Sequence, residues 1–154
     1  MPLEIERKYL LRGLPDAVGS ARRVEIDQGY LPGNEIRERI RRVRGADGTK
    51  FVRTLKTGSG IERVEIEEET TEQFFLAVWP LTRGCRVQKR RYDIPGEAGL
   101  VWEIDEFLDR NGLWLAEVEL ERADQPVTPP EWLRSYIIRE VTDEPEFTNR
   151  ALAR

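Results

Sequence analysis

Glu4, Glu6 and Lys8 alternate along Leu3-Glu4-Ile5-Glu6-Arg7-Lys8-Tyr9-Leu10-Leu11. In an extended segment two carboxylates and an ammonium then leave one face, while Leu3, Ile5, Tyr9 and Leu11 leave the other. Carboxylates so placed can hold a hard divalent cation or exchange a proton, and neighbouring ammonium and guanidinium groups suit phosphate oxygens. The pattern returns in Arg37, Arg39 and Arg41; in Lys56; in Arg63, Glu65 and Glu67; in Lys89 and Arg91; in Glu103 and Asp105; and in Glu117 and Glu119. Ile40, Val64, Ile66, Trp102, Ile104, Val118 and Leu120 occupy the opposite parity. One such strand is an ordinary solvated face; seven, with cations and acids gathered largely on separate strands, exceed what solubility requires.

Such strands need a layer over their apolar face and a place for the charged one. Amphipathic helix candidates at Glu72–Trp79 and Glu131–Ile138 are suited to cover the apolar side. A closed barrel with a wet interior satisfies both demands, and about eight antiparallel strands enclose room for one small ligand. The expected fold is therefore α+β: a closed eight-stranded antiparallel β-barrel, a tunnel with a charged interior and a few covering helices. The strand candidates are residues 3–11, 22–31, 35–44, 49–57, 61–69, 84–94, 99–109 and 113–121. Pro32-Gly33-Asn34, Gly45-Ala46-Asp47-Gly48, Gly58-Ser59-Gly60, Pro95-Gly96 and Arg110-Asn111-Gly112 separate them with turn-forming residues, which implies hairpins. Thr71 fits the N-cap of the helix that ends before Pro80, a short helical turn fits Pro15–Ser20, and residues 148–153 fit a terminal turn.

Composition narrows the chemistry. The chain of 154 residues is read as one domain, 1–154. A net charge of -4 argues against a general nucleic-acid binder, which grips phosphate backbones with a broad cationic excess. Cys85 is the only cysteine, so an intrachain disulfide is excluded. With neither a signal-like segment nor a long apolar run, the reading expects no membrane association and a cytoplasmic location. Histidine is absent, which removes Ser-His-Asp and Cys-His nucleophile systems and leaves oxygen ligands for any metal; Asp and Glu clusters suit Mg²⁺ or Mn²⁺.

Arg37, Arg39, Arg41, Lys56, Arg63, Lys89 and Arg91 projected into one small space require counterions. A polyphosphate meets that requirement, and so does internal salt-bridging between the basic and acidic sets. On the motif Glu4-Ile5-Glu6-Arg7-Lys8 the chain resembles the CYTH superfamily of triphosphate tunnel metalloenzymes. Further matching pieces are Gln28-Gly29-Tyr30-Leu31, Arg39-Ile40-Arg41, Thr54-Leu55-Lys56, Arg63-Val64-Glu65-Ile66-Glu67, Lys89-Arg90-Arg91-Tyr92, Glu103-Ile104-Asp105, Glu117-Val118-Glu119 and Glu140-Val141-Thr142.

The resemblance implies an eight-stranded tunnel that takes a small-molecule triphosphate and works with Mg²⁺ or Mn²⁺. It implies Glu4, Glu6, Glu117 and Glu119 as metal ligands, with Glu65, Glu67 and Asp105 as further ligands or holders of metal-bound water. Lys8, Arg39, Arg41, Lys56, Arg63 and Arg91 are then substrate-binding, and Lys89 with Tyr30 orients the attacking water. The short chain, the Gln-Gly-Tyr-Leu block and Trp79-Pro80 look most like compact bacterial inorganic triphosphatases, hydrolases that split tripolyphosphate into pyrophosphate and phosphate. Thiamine triphosphatase, adenylate cyclase and a non-catalytic polyphosphate-binding module stand as alternatives. Trp102 and Trp114 have the parity of the outer layer, which weakens a base-stacking role. Glu146 and Phe147 depart from the family pattern, and a homodimer is left open.

Overall fold

Eight strands close on themselves and a ninth is added outside the closure. A computed structural model describes residues 3–33, 36–58 and 62–153, with the side chains of Glu62 and Arg63 outside that description. The turn residues Asn34, Ser59 and Gly60, and the strand-candidate residues Glu35 and Ile61, lie outside the described residues. The strands are β1 (Leu3–Leu11), β2 (Arg22–Tyr30), β3 (Arg37–Gly45), β4 (Gly48–Thr57), β5 (Glu62–Thr70), β6 (Arg86–Pro95), β7 (Val101–Phe107), β8 (Trp114–Glu119) and β9 (Ile137–Glu140). Their order is β5-β4-β3-β2-β6-β7-β8-β1, and β1 pairs back onto β5 to complete the barrel. Every neighbouring pair is antiparallel. The β3–β4 reversal is tight, with Gly45 opposite Gly48 and Gly48 at φ +113°, a conformation that glycine adopts without a Cβ penalty.

β1 organises the closure. Leu3, Glu4 and Ile5 pair with Val64, Arg63 and Glu62 of β5, while Glu6 to Leu11 pair with β8. Tyr9, Leu10 and Leu11 also pair with β9. Here the structure corrects the helix expected over Glu131–Ile138. The helix α2 spans Glu131–Arg134, and Ile137–Glu140 is a strand. Trp132, Leu133, Tyr136 and Ile137 repeat with a helical period, but the backbone groups of β1 beyond Ile5 are left for a further strand. A β-branched pair, Ile137-Ile138, completes that ladder readily.

Two apolar clusters divide the work. The larger, outside the barrel, joins Ile5, Tyr9, Leu11, Trp102, Ile104, Val118 and Leu133. Trp102 is 1% exposed and its ring lies 5.8 Å from that of Tyr9, so the outward reading of Trp102 holds; Trp114 packs against the same cluster. The smaller cluster joins Tyr30, Val87, Phe107, Leu115, Val141 and Ala153, with Leu10, Phe147 and Leu152 against it. Most of its members come from the inner faces of the strands, and the rest from the C-terminal segment, which ends in α3 (Asn149–Leu152). Residues 141–153 therefore fill one end of the barrel interior.

On the outside, α1 (Glu72–Val78) is capped by Thr71, whose hydroxyl accepts from the Phe74 amide at 3.0 Å. Phe75, 1% exposed, packs on Phe51 and Trp79. The 3₁₀ turn Trp79–Thr82 then runs close to β2 at Gly29, where a Cβ would lie 2.6 Å from Thr82. Glycine is required there because the turn presses directly on the strand that carries Tyr30. An outer ladder of ion pairs links the same strands: Arg42 to Asp27 at 3.0 Å, Arg44 to Asp27 at 3.2 Å, Arg90 to Glu25 at 3.0 Å and Arg90 to Glu106 at 3.4 Å. Among the described residues no helix is long and apolar enough to cross a membrane.

Candidate functional site

The period of two along each strand carries the charged set inward, and the cyclic strand order brings it around one cavity of about 630 Å³. β1 contributes Glu4, Glu6 and Lys8; β3 contributes Arg37, Arg39 and Arg41; β4 contributes Lys56; β5 contributes Glu65 and Glu67. From the other side come Arg91 of β6, Glu103 of β7, and Glu117 and Glu119 of β8, with Tyr30 at the end of β2. The Arg63 backbone pairs with Glu4, and its side chain lies outside the description. Lys89 and Asp105 share the inward parity but stand behind the wall, 1% and 0% exposed.

The cations and acids meet in short contacts. Lys56 Nζ lies 2.9 Å from Glu4, Lys8 Nζ 3.3 Å from Glu117, and Arg41 3.1 Å from Glu67, with Arg39 at 3.8 Å from the same carboxylate. Arg91 grips Asp105 through Nε and a terminal nitrogen at 2.7 and 2.9 Å and reaches Glu103 at 3.0 Å. Lys89 Nζ donates to Asp105 Oδ2 at 2.8 Å and to Asn149 Oδ1 at 3.1 Å, with the Phe107 ring centroid 5.6 Å away. Both oxygens of Asp105 are thus engaged by cations. The Tyr30 hydroxyl receives a hydrogen bond from Gln28 Nε2 at 2.9 Å, so neither bonding set joins Tyr30 directly to Lys89.

The electrostatics are unbalanced. Burial, then the neighbouring Glu117, raise the Glu6 carboxyl to about 8. Burial and a hydrogen bond with Glu4 raise Glu65 to about 8. Glu4 goes the other way: burial opposes ionisation, but the Glu65 proton and the Lys56 charge outweigh it, so this pair shares one proton. Glu117 is held well below the usual range, against its burial, by Lys8 and Arg91. Glu119 is raised by burial and by Glu4 and Glu67. Burial lowers Lys89 to about 8 despite Asp105.

The acid set fits a hard divalent cation by two criteria. Every donor is an oxygen, and two carboxyls, Glu6 and Glu65, are pushed up to about 8 by burial and then by neighbouring acids, a repulsion that a divalent cation would relieve. Among the described residues no three acids already surround a single point. Mg²⁺ commonly takes one or two carboxylates and completes its shell with water and ligand phosphates, so a ready-made three-acid cage is not required.

Strand parity does not reveal the contribution of the C-terminal segment. Thr142, Asp143, Thr148, Asn149 and Arg150 line the cavity. The Phe147 carbonyl accepts from Lys8 Nζ at 3.1 Å, and the Lys8 amide donates to Thr142 Oγ1 at 3.1 Å. The signal available in the sequence was the terminal helical turn over residues 148–153; in the structure the Thr148 hydroxyl accepts from the Ala151 amide at 3.2 Å. Nothing local in the sequence says that this turn packs inside a barrel.

Fold and cavity together define a tunnel protein, a closed barrel whose lumen carries cations and carboxylates around a space for a small anion. No protein-family profile matches the chain. A curated relative from Nitrosomonas europaea, an inorganic triphosphatase, is 38% identical over 97% of this chain and 96% of its own length. A second inorganic triphosphatase, from Acetivibrio thermocellus, is 33% identical over 100% and 95%. A crystal structure of an inorganic triphosphatase superposes with a TM-score of 0.67 at 35% identity, over 99% of this chain and 95% of that one. The chain belongs to the inorganic triphosphatase family.

Proposed function

We propose that this protein is a metal-dependent hydrolase that converts inorganic tripolyphosphate to pyrophosphate and phosphate, a CYTH-type triphosphate tunnel enzyme. The observation that carries the reading is the single cavity in which Lys8, Arg39, Arg41, Lys56 and Arg91 face Glu4, Glu6, Glu65, Glu67, Glu117 and Glu119. Two relatives similar to this chain over nearly its whole length are inorganic triphosphatases. The cations bind the phosphate oxygens, with Arg63 on the adjoining strand as a further candidate, and Arg forks fix orientation by paired hydrogen bonds. Mg²⁺ or Mn²⁺ held by the acids would draw charge from the triphosphate and stabilise the leaving oxygen. Asp105 is assigned to holding Arg91 and Lys89, since both of its oxygens are occupied by them.

In the proposed reaction a water oxygen attacks the terminal phosphorus in line. The new P–O bond gives phosphate as the bond to the departing pyrophosphate oxygen breaks. Lys89, lowered to about 8, takes the water proton in its amine form, and Tyr30 on the wall contributes a hydroxyl that helps orient that water. Among the described residues Tyr30 is the only aromatic lining the cavity, which favours an inorganic chain over a substrate with a base to stack. The reading expects only weak hydrolysis of ATP. Phosphate release from tripolyphosphate, ATP and thiamine triphosphate, each with Mg²⁺, Mn²⁺ or chelator, tests it. Fast metal-dependent release from tripolyphosphate supports the proposal. Tight tripolyphosphate binding without release from any substrate would replace it with a binding module.

A further inference from the structure

Lys89 presents a geometric difficulty that its neighbours resolve. Its ammonium is 1% exposed, stands behind the cavity wall and is anchored from beneath by Asp105 at 2.8 Å. The group that both touches it and lines the cavity is Asn149, the first residue of α3. An ammonium has only hydrogens to offer, so the amide atom facing it at 3.1 Å is the oxygen. The same planar amide then turns its NH₂ group away from Lys89. Among the described residues, no hydrogen bond is found from that Nδ2.

We infer that Asn149 is a positioning residue for the proposed hydrolysis, with its Oδ1 fixing the Lys89 Nζ and its Nδ2 presenting a donor to the triphosphate. This rests on the tripolyphosphatase reading and assigns a role to the C-terminal segment within it. The two ends of one side chain separate the two effects. Loss of the acceptor lets the Lys89 amine swing, which lowers the rate of the chemical step; loss of the donor removes an interaction with bound anion, which weakens binding. The location supports the division. Asn149 is held at the start of a turn capped by Thr148 and anchored by Leu152 and Ala153 in the apolar cluster, so its amide has a fixed origin.

The test measures kcat and KM for tripolyphosphate, with tripolyphosphate affinity and melting temperature, in wild type, Asn149→Ala and Asn149→Asp. Asn149→Ala is expected to lower kcat by about 10- to 100-fold with its melting temperature near that of wild type. Asn149→Asp restores an oxygen to Lys89 but, as a carboxylate, favours its ammonium form, so most of kcat should be recovered only at raised pH, while KM rises because a carboxylate replaces the donor facing an anion. Wild-type kinetics from both variants would overturn the inference. So would parallel losses in kcat and melting temperature that Asn149→Asp does not separate. Wild type inactive on tripolyphosphate would instead overturn the functional proposal itself, so the two failures are distinguishable.

Discussion

The inner and outer faces of this barrel are built from the same side chains and behave in opposite ways. On the outer face of β2, β3, β6 and β7, charges meet in pairs: a hydrogen bond from Arg90 lowers Glu25, and the same bond raises Arg90. Each partner stabilises the charged form of the other, in contact with solvent. In the lumen, burial comes first. Glu6 and Glu65 rise to about 8 through burial and, after it, neighbouring acids, while burial and the adjacent Arg39 lower Arg41. Charge count does not separate a structural ladder from a site that needs a ligand. Burial together with like-charged neighbours does.

The widest gap between the two faces should appear on removing one acid from each. Glu6→Ala is expected to lower tripolyphosphate turnover by about 10³-fold, whereas Glu25→Ala should leave it within about twofold. Steady-state phosphate release under saturating metal measures both, and equal losses would erase the distinction. A smaller contrast is expected between adjacent arginines of β3. Arg41→Ala should raise KM by about 10- to 100-fold, the value of one charged hydrogen bond, with a lesser effect on kcat. Arg42→Ala should keep KM and lose about 1 kcal/mol of stability in urea, because the buried Asp27 loses one partner and keeps Arg44 and Gln88.

The mildest contrast is in pH dependence. Glu6 and Glu65 have folded values raised from 4.5 to about 8. Their contribution to stability is therefore fully present below pH 4.5 and is lost as pH rises through about 8. Lys89 is lowered from 10.5 to about 8. Its contribution is present above pH 10.5 and lost as pH falls through about 8. Without divalent metal, melting temperature should thus fall from pH 5 to 8. Glu6→Gln should flatten that slope, and Mn²⁺ should raise the melting temperature more at pH 8 than at pH 6, since it competes with the retained protons. Glu25→Gln should leave the slope unchanged.

The eight barrel strands and most of the wall were legible because parity is a local property: Glu4, Glu6 and Lys8 must share a face whatever the strand pairs with. The depth of a side chain along the tunnel is not local. Lys89 and Arg91 have equal parity, yet Arg91 reaches the wall and Lys89 lies behind it, beside Phe107 and Asn149. That difference depends on how residues 141–153 pack within the barrel. Strand β9 was hidden for a related reason: Ile137–Glu140 becomes a strand because β1 has backbone groups left over beyond Ile5. Tyr30 and Lys89 were paired by resemblance, whereas the contacts place Gln28 on one and Asp105 with Asn149 on the other.

The partner change along β1 bears on how the chain acquires its shape. Leu3–Ile5 wait for residues 62–64, and Tyr9–Leu11 wait for residues 137–140. Contacts that distant in sequence close large loops before they return any free energy, which makes folding slow compared with a hairpin-by-hairpin barrel. During synthesis β2 to β4 can assemble in order, while the first strand stays without its last partner until residue 140 has left the ribosome. The cavity is thus finished only after residues 141–153 have emerged, and a chain cut short before Asn149 would present the acids and cations with no such segment to set their depth.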